Sequence, residues 1–285
     1  MNGRFAGVLA FFGTLLSLST FTVPAQAQSY LLPRDYFLDP PRRGLYVHAD
    51  AFTIGGQASL EHRHELDGDM TMLTSRVSGL VSTGFADVGA YSEVRVAFLS
   101  LSLAGGYRNV WRDYSRIGSG AEVTRNMRRA SDTAKSFGVE SWPWAEARAR
   151  LMIPLDMFAF VASTAVRLED SPDSAFDWFH ANVHDGGAFT RTDATLFLRS
   201  EKVGAVGPVV RWMNMSRRGT RVNEVAFGLT AAMRLGIKRN ADLLGLQILT
   251  VPGDSEFGFH LLRLPVMAML TYRMTFPVYV PPRAE

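Results

Sequence analysis

Three short groups of side chains in this sequence are of the types that carry out acid–base or metal chemistry. Asp67-Gly68-Asp69 holds a pair of acids, and His184-Asp185 places an imidazole next to a carboxylate. His62 and His64 are two residues apart, so both rings would share one face of a strand, where histidines can bind a metal ion. The histidine pair has no obvious third ligand. All three groups fall in polar stretches, and we interpret them as solvated loop residues.

The remaining chemistry of the chain is dominated by arginine. Of the 30 basic residues only three are lysines, at 135, 202 and 238. The planar guanidinium group suits fixed, multidentate ion pairs better than a lysine does. The net charge of +3 is close to neutral and indicates no nucleic-acid partner. The absence of cysteine excludes disulfides, cysteine-bound metals and lipid attachment at a cysteine. We expect no cofactor, no metal site and no catalytic residue.

The elements that would position these arginines are strands with one apolar and one polar face. Between 225 and 235 every second residue is apolar, and Glu224, Thr230 and Arg234 lie on the other face. Similar segments recur, and we expect strands at 44–54, 70–82, 86–96, 98–111, 142–153, 157–169, 188–200, 205–215, 221–235, 241–251 and 257–276. Closed single-chain barrels usually have an even number of strands. Therefore either 70–96 is one long bent strand, giving ten, or 174–184 is a further strand, giving twelve.

The N-terminus is typical of a cleaved export signal. Arg4 precedes the apolar run Phe5–Leu18, and Ala25-Gln26-Ala27 is a small-x-small cleavage site. We therefore expect a signal peptide at 1–27, an extended proline-rich lead-in at 28–43, a barrel at 44–276 and a tail at 277–285. After residue 27 no stretch of about 18 uncharged apolar residues occurs, so the sequence predicts no helical membrane span.

The export signal, the strand rhythm of 44–276 and the alternating final strand Leu270–Tyr272–Met274–Phe276 resemble bacterial outer-membrane β-barrel proteins. The resemblance implies an all-β fold, a closed antiparallel transmembrane β-barrel of 10–12 strands in the outer membrane of a Gram-negative bacterium. It also implies contacts with the lipid bilayer and lipopolysaccharide, and recognition by the barrel-assembly machinery through the strand ending at Phe276. Some barrels of this class are proteases or phospholipases. Their motifs are not reproduced, and no His-x-Ser occurs, so the sequence does not predict an enzyme.

In such a barrel the apolar face of each strand points to lipid and the polar face to the lumen. We expect Leu99, Leu101, Phe227, Leu229, Leu264 and Val266 to face lipid. We expect the lumen to be lined by Arg76, Arg95, Arg108, Glu146, Arg148, Arg150, Arg167, Arg199, Arg211, Glu224, Arg234, Arg263 and Arg273. With Asp50 and Glu93 added, eleven arginines face four acids, an excess of seven positive charges. Aromatic girdles at the two membrane interfaces are predicted at Tyr91, Tyr107, Trp111, Trp142, Trp144, Trp178, Phe179, Trp212, Tyr272 and Phe276.

An arginine-rich lumen predicts a small anion-preferring channel or passive transporter for a small anionic solute, because a low-dielectric wall focuses the field. The alternative is a narrow barrel that facing side chains or inward-folded loops plug. It would be a non-conducting structural or adhesive protein that uses the loop 112–137. From loop length we expect 112–137 and 55–69 to be external, and 154–156, 201–204 and 236–240 to be periplasmic.

Overall fold

The computed structural model describes residues 43–53, 55–67, 71–82, 85–110, 140–172, 175–177, 180–200, 204–235, 242–254, 256–261 and 264–281. Its strands are β1 (Gly44–Phe52), β2 (Gly55–Asp67), β3 (Thr71–Ser82), β4 (Phe85–Val96), β5 (Leu99–Val110), β6 (Glu140–Leu155), β7 (Phe158–Glu169), β8 (Ala175–Asp177), β9 (Asn182–His184), β10 (Gly187–Ser200), β11 (Gly204–Arg217), β12 (Thr220–Leu235), β13 (Asp242–Thr250), β14 (Phe259–Leu261) and β15 (Leu264–Tyr279). Within these ranges no helix is long and apolar enough to cross a membrane.

Twelve of these strands form one closed antiparallel barrel. Neighbours pair in the order β1-β2-β3-β4-β5-β6-β7-β10-β11-β12-β13-β15, and β1 closes the ring by pairing with β15 from Leu45↔Tyr279 to Phe52↔Thr271. Closure leaves no open edge in the ring, so each of the twelve strands hydrogen-bonds to a neighbouring strand on both sides. The predicted all-β closed antiparallel barrel is confirmed.

The barrel has twelve strands, but neither of the two expected alternatives for an even strand number is correct. Residues 70–96 form two strands, and 174–184 contributes only the short pair β8–β9, which lies outside the barrel wall. The additional strand is β2, which is polar on both faces between Glu61 and His64. Glu61 and Arg63 are buried, and His62 and His64 are exposed. Alternation cannot reveal such a strand. The expected final strand 257–276 is also two elements, because β14 turns back and pairs with the start of β15.

The two ends of the barrel differ in the length of their connections. One end, which we call the short-turn end, holds the start of β1, the end of β15 and the connections 68–70, 97–98, 156–157, 201–203 and 236–241. The other end, which we call the mouth, holds 53–54, 83–84, 111–139, 170–186, 218–219 and 251–263. The expected external loop 55–69 is wrong, since 55–67 is β2 and leads to the short-turn end. The stretch 112–137 lies outside the described residues, but it joins two strands at the mouth.

The outer surface of the wall is apolar. Leu99, Leu101, Phe227 and Leu229 are exposed by 46–57%, and Leu264 by 63%, whereas Val266 is half-buried beside β14. Exposed large apolar side chains of this kind recur on most strands of the barrel. A contiguous apolar surface of this extent is normally covered in a soluble protein, and it suits contact with lipid.

The predicted aromatic girdles are only partly correct. Tyr107, Trp212 and Phe276 are exposed on the outer face. Tyr91, Trp142 and Trp144 are buried in the lumen, because they share the inward alternate positions with Glu93, Glu146 and Arg148. Tyr272 is half-buried and donates a hydrogen bond to Asp242. Trp111, Trp178 and Phe179 lie outside the described residues.

A buried ion pair joins the first and last strands. Arg273 on β15 donates from both Nε and one Nη to the Asp50 carboxylate on β1, and both side chains are buried. We expect Asp50→Asn alone and Arg273→Met alone each to lower the unfolding free energy of the barrel by about 3–5 kcal/mol, because each leaves a buried charge without its partner. Equilibrium urea unfolding in detergent measures this.

The double variant Asp50→Asn/Arg273→Met is the control for that pair. It removes both charges together and should cost less than either single change. Additive costs in the double-mutant cycle would show that the two side chains do not stabilise each other.

Candidate functional site

Among the residues that the structure describes, the buried arginines and the buried acids are equal in number. The described residues include nine buried arginines, at 63, 76, 95, 108, 148, 167, 191, 211 and 273. They also include nine buried acids: Asp50, Glu61, Asp87, Glu93, Glu146, Glu169, Asp177, Asp185 and Glu224. The expected excess of seven positive charges is therefore wrong.

The expected lumen residues occupy several environments. Arg76, Arg95, Arg108, Glu146, Arg148, Arg167, Arg211, Glu224 and Arg273 are buried inside the barrel. Arg150 and Arg199 are half-exposed towards the short-turn end. The side chain of Arg234, and Arg263 altogether, lie outside the described part of the chain.

Several acids that were not predicted from the sequence share these inward positions. Asp87 lies on the same alternate positions of β4 as Glu93, and Glu169 lies on those of β7 with Arg167. Glu61 belongs to the unrecognised strand β2. The alternation of inward and outward positions, extended to both ends of each expected strand, predicts that Asp87 and Glu169 face the lumen.

Single carboxylates hold pairs of guanidinium groups in the lumen. Glu61 accepts hydrogen bonds from Arg63 Nε at 2.7 Å and Arg76 Nε at 2.6 Å, and its side chain is fully buried. Asp193 accepts from Arg211 Nε at 2.7 Å and lies 3.2 Å from Arg191 Nε. Such charge-assisted bonds offset the cost of removing these groups from water.

The mouth is filled by apolar packing around a short hairpin made of β8 and β9, which we call the mouth hairpin. Phe176 and Val183 of this hairpin and the nearby Phe257 are buried. They belong to one cluster of buried side chains contributed by nine barrel strands, including Phe85, Met213 and others from β3 to β15. The hairpin therefore lies among side chains from opposite walls of the lumen.

Polar contacts fasten the mouth hairpin to the wall. Arg217 on β11 donates to the carbonyl oxygen of Val183 at 2.9 Å and to the side chain of Asn182 at 2.5 Å, and it pairs with Glu224. Asn182 donates in turn to Glu224 at 2.6 Å. On the other side, Gly258 N donates to the carbonyl oxygen of Ala181 at 2.5 Å.

Asp185, directly after the mouth hairpin, caps the turn between β11 and β12. Its carboxylate accepts hydrogen bonds from Ser216 Oγ at 2.9 Å, Arg218 N at 2.9 Å and Gly219 N at 2.8 Å. Arg218 and Gly219 both have positive φ, as in a type I′ hairpin turn. Asp185 is thus a structural clamp, and its interpretation as a solvated loop residue is wrong.

A buried group of two acids and two histidines lies where the mouth hairpin meets β7. We call Glu169, Asp177, His180 and His184 the acid–histidine cluster. His180 Nδ1 is hydrogen-bonded to the Asp177 carboxylate, and His184 Nε2 lies 3.7 Å from the same carboxylate. Arg108 Nη1 lies 3.6 Å from Asp177 and 3.7 Å from Glu169. All of these side chains are buried, so His184 is not the solvated residue that its sequence context predicts.

The two histidines titrate differently. Burial lowers the pKa of His180 to about 4, so its ring is neutral near neutral pH. Burial also opposes a charge on His184, but the neighbouring Asp177 and Glu169 carboxylates outweigh it and raise its pKa above the ordinary value. The surroundings of His184 therefore favour a positive charge. One ligand atom each from Glu169, Asp177 and His184 lies within 4.8 Å of the other two.

The other chemistry-bearing groups from the sequence stand apart from this cluster. His62 and His64 are exposed on the outer face of β2, with ring centroids 6.2 Å apart. The backbone of Asp67 ends β2 at the short-turn end, and residues 68–70 lie outside the described residues.

No protein-family model and no curated protein matches this chain. Among solved structures, the chain is similar to LpxR from Salmonella typhimurium, at 11% sequence identity and a TM-score of 0.43. That similarity covers 81% of this chain and 99% of the other. The twelve-strand architecture follows from the strand pairing of the barrel itself.

The clamp at Asp185 gives a local prediction. Replacing Asp185 by Ala leaves two backbone N–H groups and one hydroxyl without their acceptor, so we expect a loss of about 1–3 kcal/mol of unfolding free energy. Hydrogen exchange should rise at 182–185 and 216–219 together. Asp185→Asn keeps one carbonyl oxygen as an acceptor, so its unfolding free energy should lie between those of the unaltered protein and Asp185→Ala. Faster exchange confined to 216–219 would show that Asp185 does not hold the mouth hairpin.

Proposed function

We propose that this protein is an outer-membrane β-barrel that does not conduct as folded, with a lumen sealed by its own side chains and by the mouth hairpin. The observation that carries the proposal is the burial of the inward-facing charges. Lumen side chains of a water-filled pore are exposed to water. Here Glu61 and Arg211 are 0% exposed, and Arg76 is 2% exposed.

Two features support a membrane location. The outer wall is apolar, whereas the described arginines that are buried sit inside, where ion pairs replace water. An arginine on the lipid side would cost about 2–4 kcal/mol at the bilayer midplane, so this segregation suits a wall surrounded by lipid. The signal-like residues 1–27 are consistent with export to the outer membrane of a Gram-negative bacterium, where bilayer and lipopolysaccharide would surround the wall.

Two further proposals follow from the arrangement of the barrel ends. The long connections at the mouth would face outward and the short turns would face the periplasm, as in other outer-membrane barrels. The barrel-assembly machinery would recognise β15, which runs to Tyr279, three residues past Phe276.

The rival function is a small anion-preferring channel or passive transporter. It requires the mouth hairpin to leave the lumen and the ion-paired layers beneath it to open. The matched numbers of buried arginines and acids also remove the reason for anion preference. The geometry therefore supports the sealed barrel better.

Single-channel recording separates the two functions. We expect the full protein, reconstituted in a planar bilayer under a salt gradient, to give no steady conductance. A variant with 175–184 replaced by a glycine–serine linker of equal length removes Phe176 and Val183 from the mouth, and it should conduct more often. A steady, anion-selective conductance of the unaltered protein that weakens in Arg211→Ala would contradict the proposal and favour the channel.

Depth-dependent substitutions test the membrane location. Leu229 lies near the middle of β12, paired with Pro208 and Ile248, and Leu99 begins β5 beside the 97–98 turn. We expect Leu229→Arg to lower the unfolding free energy in liposomes by about 2–4 kcal/mol and Leu99→Arg by about 0–1 kcal/mol. Equilibrium unfolding in guanidinium chloride measures both changes in unfolding free energy. Equal costs, or a monomer that is soluble without detergent, would argue against a lipid-facing wall.

A further inference from the structure

We propose that Glu169, Asp177 and His184 form a binding site for a divalent transition-metal ion of the zinc class. Among the residues that the structure describes, they are the one group whose three ligand atoms converge in this way, within 4.8 Å of one another. All three side chains are buried, so an ion there would be held inside the protein. Neither the sealed lumen nor the membrane location requires such a site.

The orientation of His184 points to a ligand. Its Nδ1 lies 2.9 Å from the backbone carbonyl oxygen of Asp185, and a carbonyl only accepts, so Nδ1 carries the proton. In the neutral ring the lone pair is then on Nε2, which faces the Asp177 carboxylate. A backbone carbonyl fixes the other nitrogen in the same way in many histidines that bind metals.

The spacing between these two groups fits a shared ion better than direct contact. His184 Nε2 and the Asp177 oxygen are 3.7 Å apart, which is longer than a hydrogen bond. Two ligands on one tetrahedral zinc ion, each bound at about 2.0–2.1 Å, are about 3.4 Å apart. A movement of a few tenths of an ångström therefore brings both atoms into the coordination sphere.

The arginine beside the site contacts two of its carboxylates only at longer range. Arg108 donates through Nε to Asp87 at 2.9 Å, whereas its Nη1 contacts with Asp177 and Glu169 are beyond hydrogen-bond length.

The donor set indicates which class of ion would bind. Imidazole nitrogen suits zinc and its neighbours, whereas magnesium and calcium prefer sites made of oxygen alone. Three protein ligands with a fourth position left for water are typical of zinc sites that carry out chemistry. Glu169 belongs to β7, Asp177 to β8 and His184 to β9, so one ion would join the barrel wall to both strands of the mouth hairpin.

The experiment is a zinc titration of the refolded full chain in detergent after treatment with a chelator. The background variant is His62→Ala/His64→Ala, which removes the exposed histidine pair that would bind zinc at the surface. We expect one zinc ion per chain by calorimetry and by metal analysis after dialysis. Equal concentrations of Mg²⁺ or Ca²⁺ should not compete.

Single substitutions then assign the ligands. Glu169→Gln, Asp177→Asn and His184→Gln should each weaken zinc binding by at least tenfold, and His180→Ala, which frees the Asp177 carboxylate to rotate, by about 10–100-fold. Heat-modifiable migration on gels checks that each variant folds. Zinc should also slow hydrogen exchange at 180–185 in the background variant and not in His184→Gln.

Two outcomes would overturn the proposal. The first is a folded background variant that binds no zinc and gives no visible absorption with Co²⁺. The second is zinc binding that is unchanged in a folded His184→Gln or Glu169→Gln chain. If a ligand variant fails to fold, zinc stoichiometry and Co²⁺ absorption in the background variant still decide the question.

Discussion

A charge that points into this barrel must find its counter-charge inside the barrel, because the wall around it is apolar and the lumen is packed. Glu61 accordingly holds two guanidinium groups, and Asp193 holds two more. Trp144 contributes in another way, because its indole Nε1 donates to Asp87 and its ring lies 4.2 Å from the Arg167 guanidinium. The interior is therefore a set of ion pairs that replaces the water of a wider pore.

This constraint explains why the mouth is closed with a different chemistry from the rest of the lumen. Elsewhere in the lumen the members of an ion pair come from one strand, as Arg148 and Glu146 do on β6, or from neighbouring strands, as Arg211 and Asp193 do on β11 and β10. At the mouth the apolar side chains of nine strands meet the mouth hairpin, and charges appear where the hairpin touches the wall. Arg217 and Asp185 form hydrogen bonds with backbone atoms as well as with side chains. They therefore fix the position of the mouth hairpin in addition to neutralising charged side chains.

The barrel was predictable from sequence because alternation is a local signal. It marks strands such as β5 and β12, whose two faces differ. It fails for β2, where His62 and Glu61 make both faces polar at one end, and for Trp142 and Trp144, whose large rings face inward. The acid–histidine cluster was not predictable, because Glu169 and His184 are fifteen residues apart and meet only because β8 and β9 pack inside the lumen. The spacing of these residues in the sequence does not predict that they come together.

The pairing of β1 with β15 also determines the order in which the molecule can be completed. Asp50 and Arg273 are separated by 223 positions in the chain, so one of the first strands to be synthesised pairs with the last strand of the barrel. Until β15 arrives, the edge of β1 has unmade backbone hydrogen bonds and a carboxylate without its guanidinium group. A chain interrupted anywhere before Arg273 is therefore an open sheet, not a smaller barrel. Completion is all-or-none, and the closing contact forms only in a chain that extends through β15.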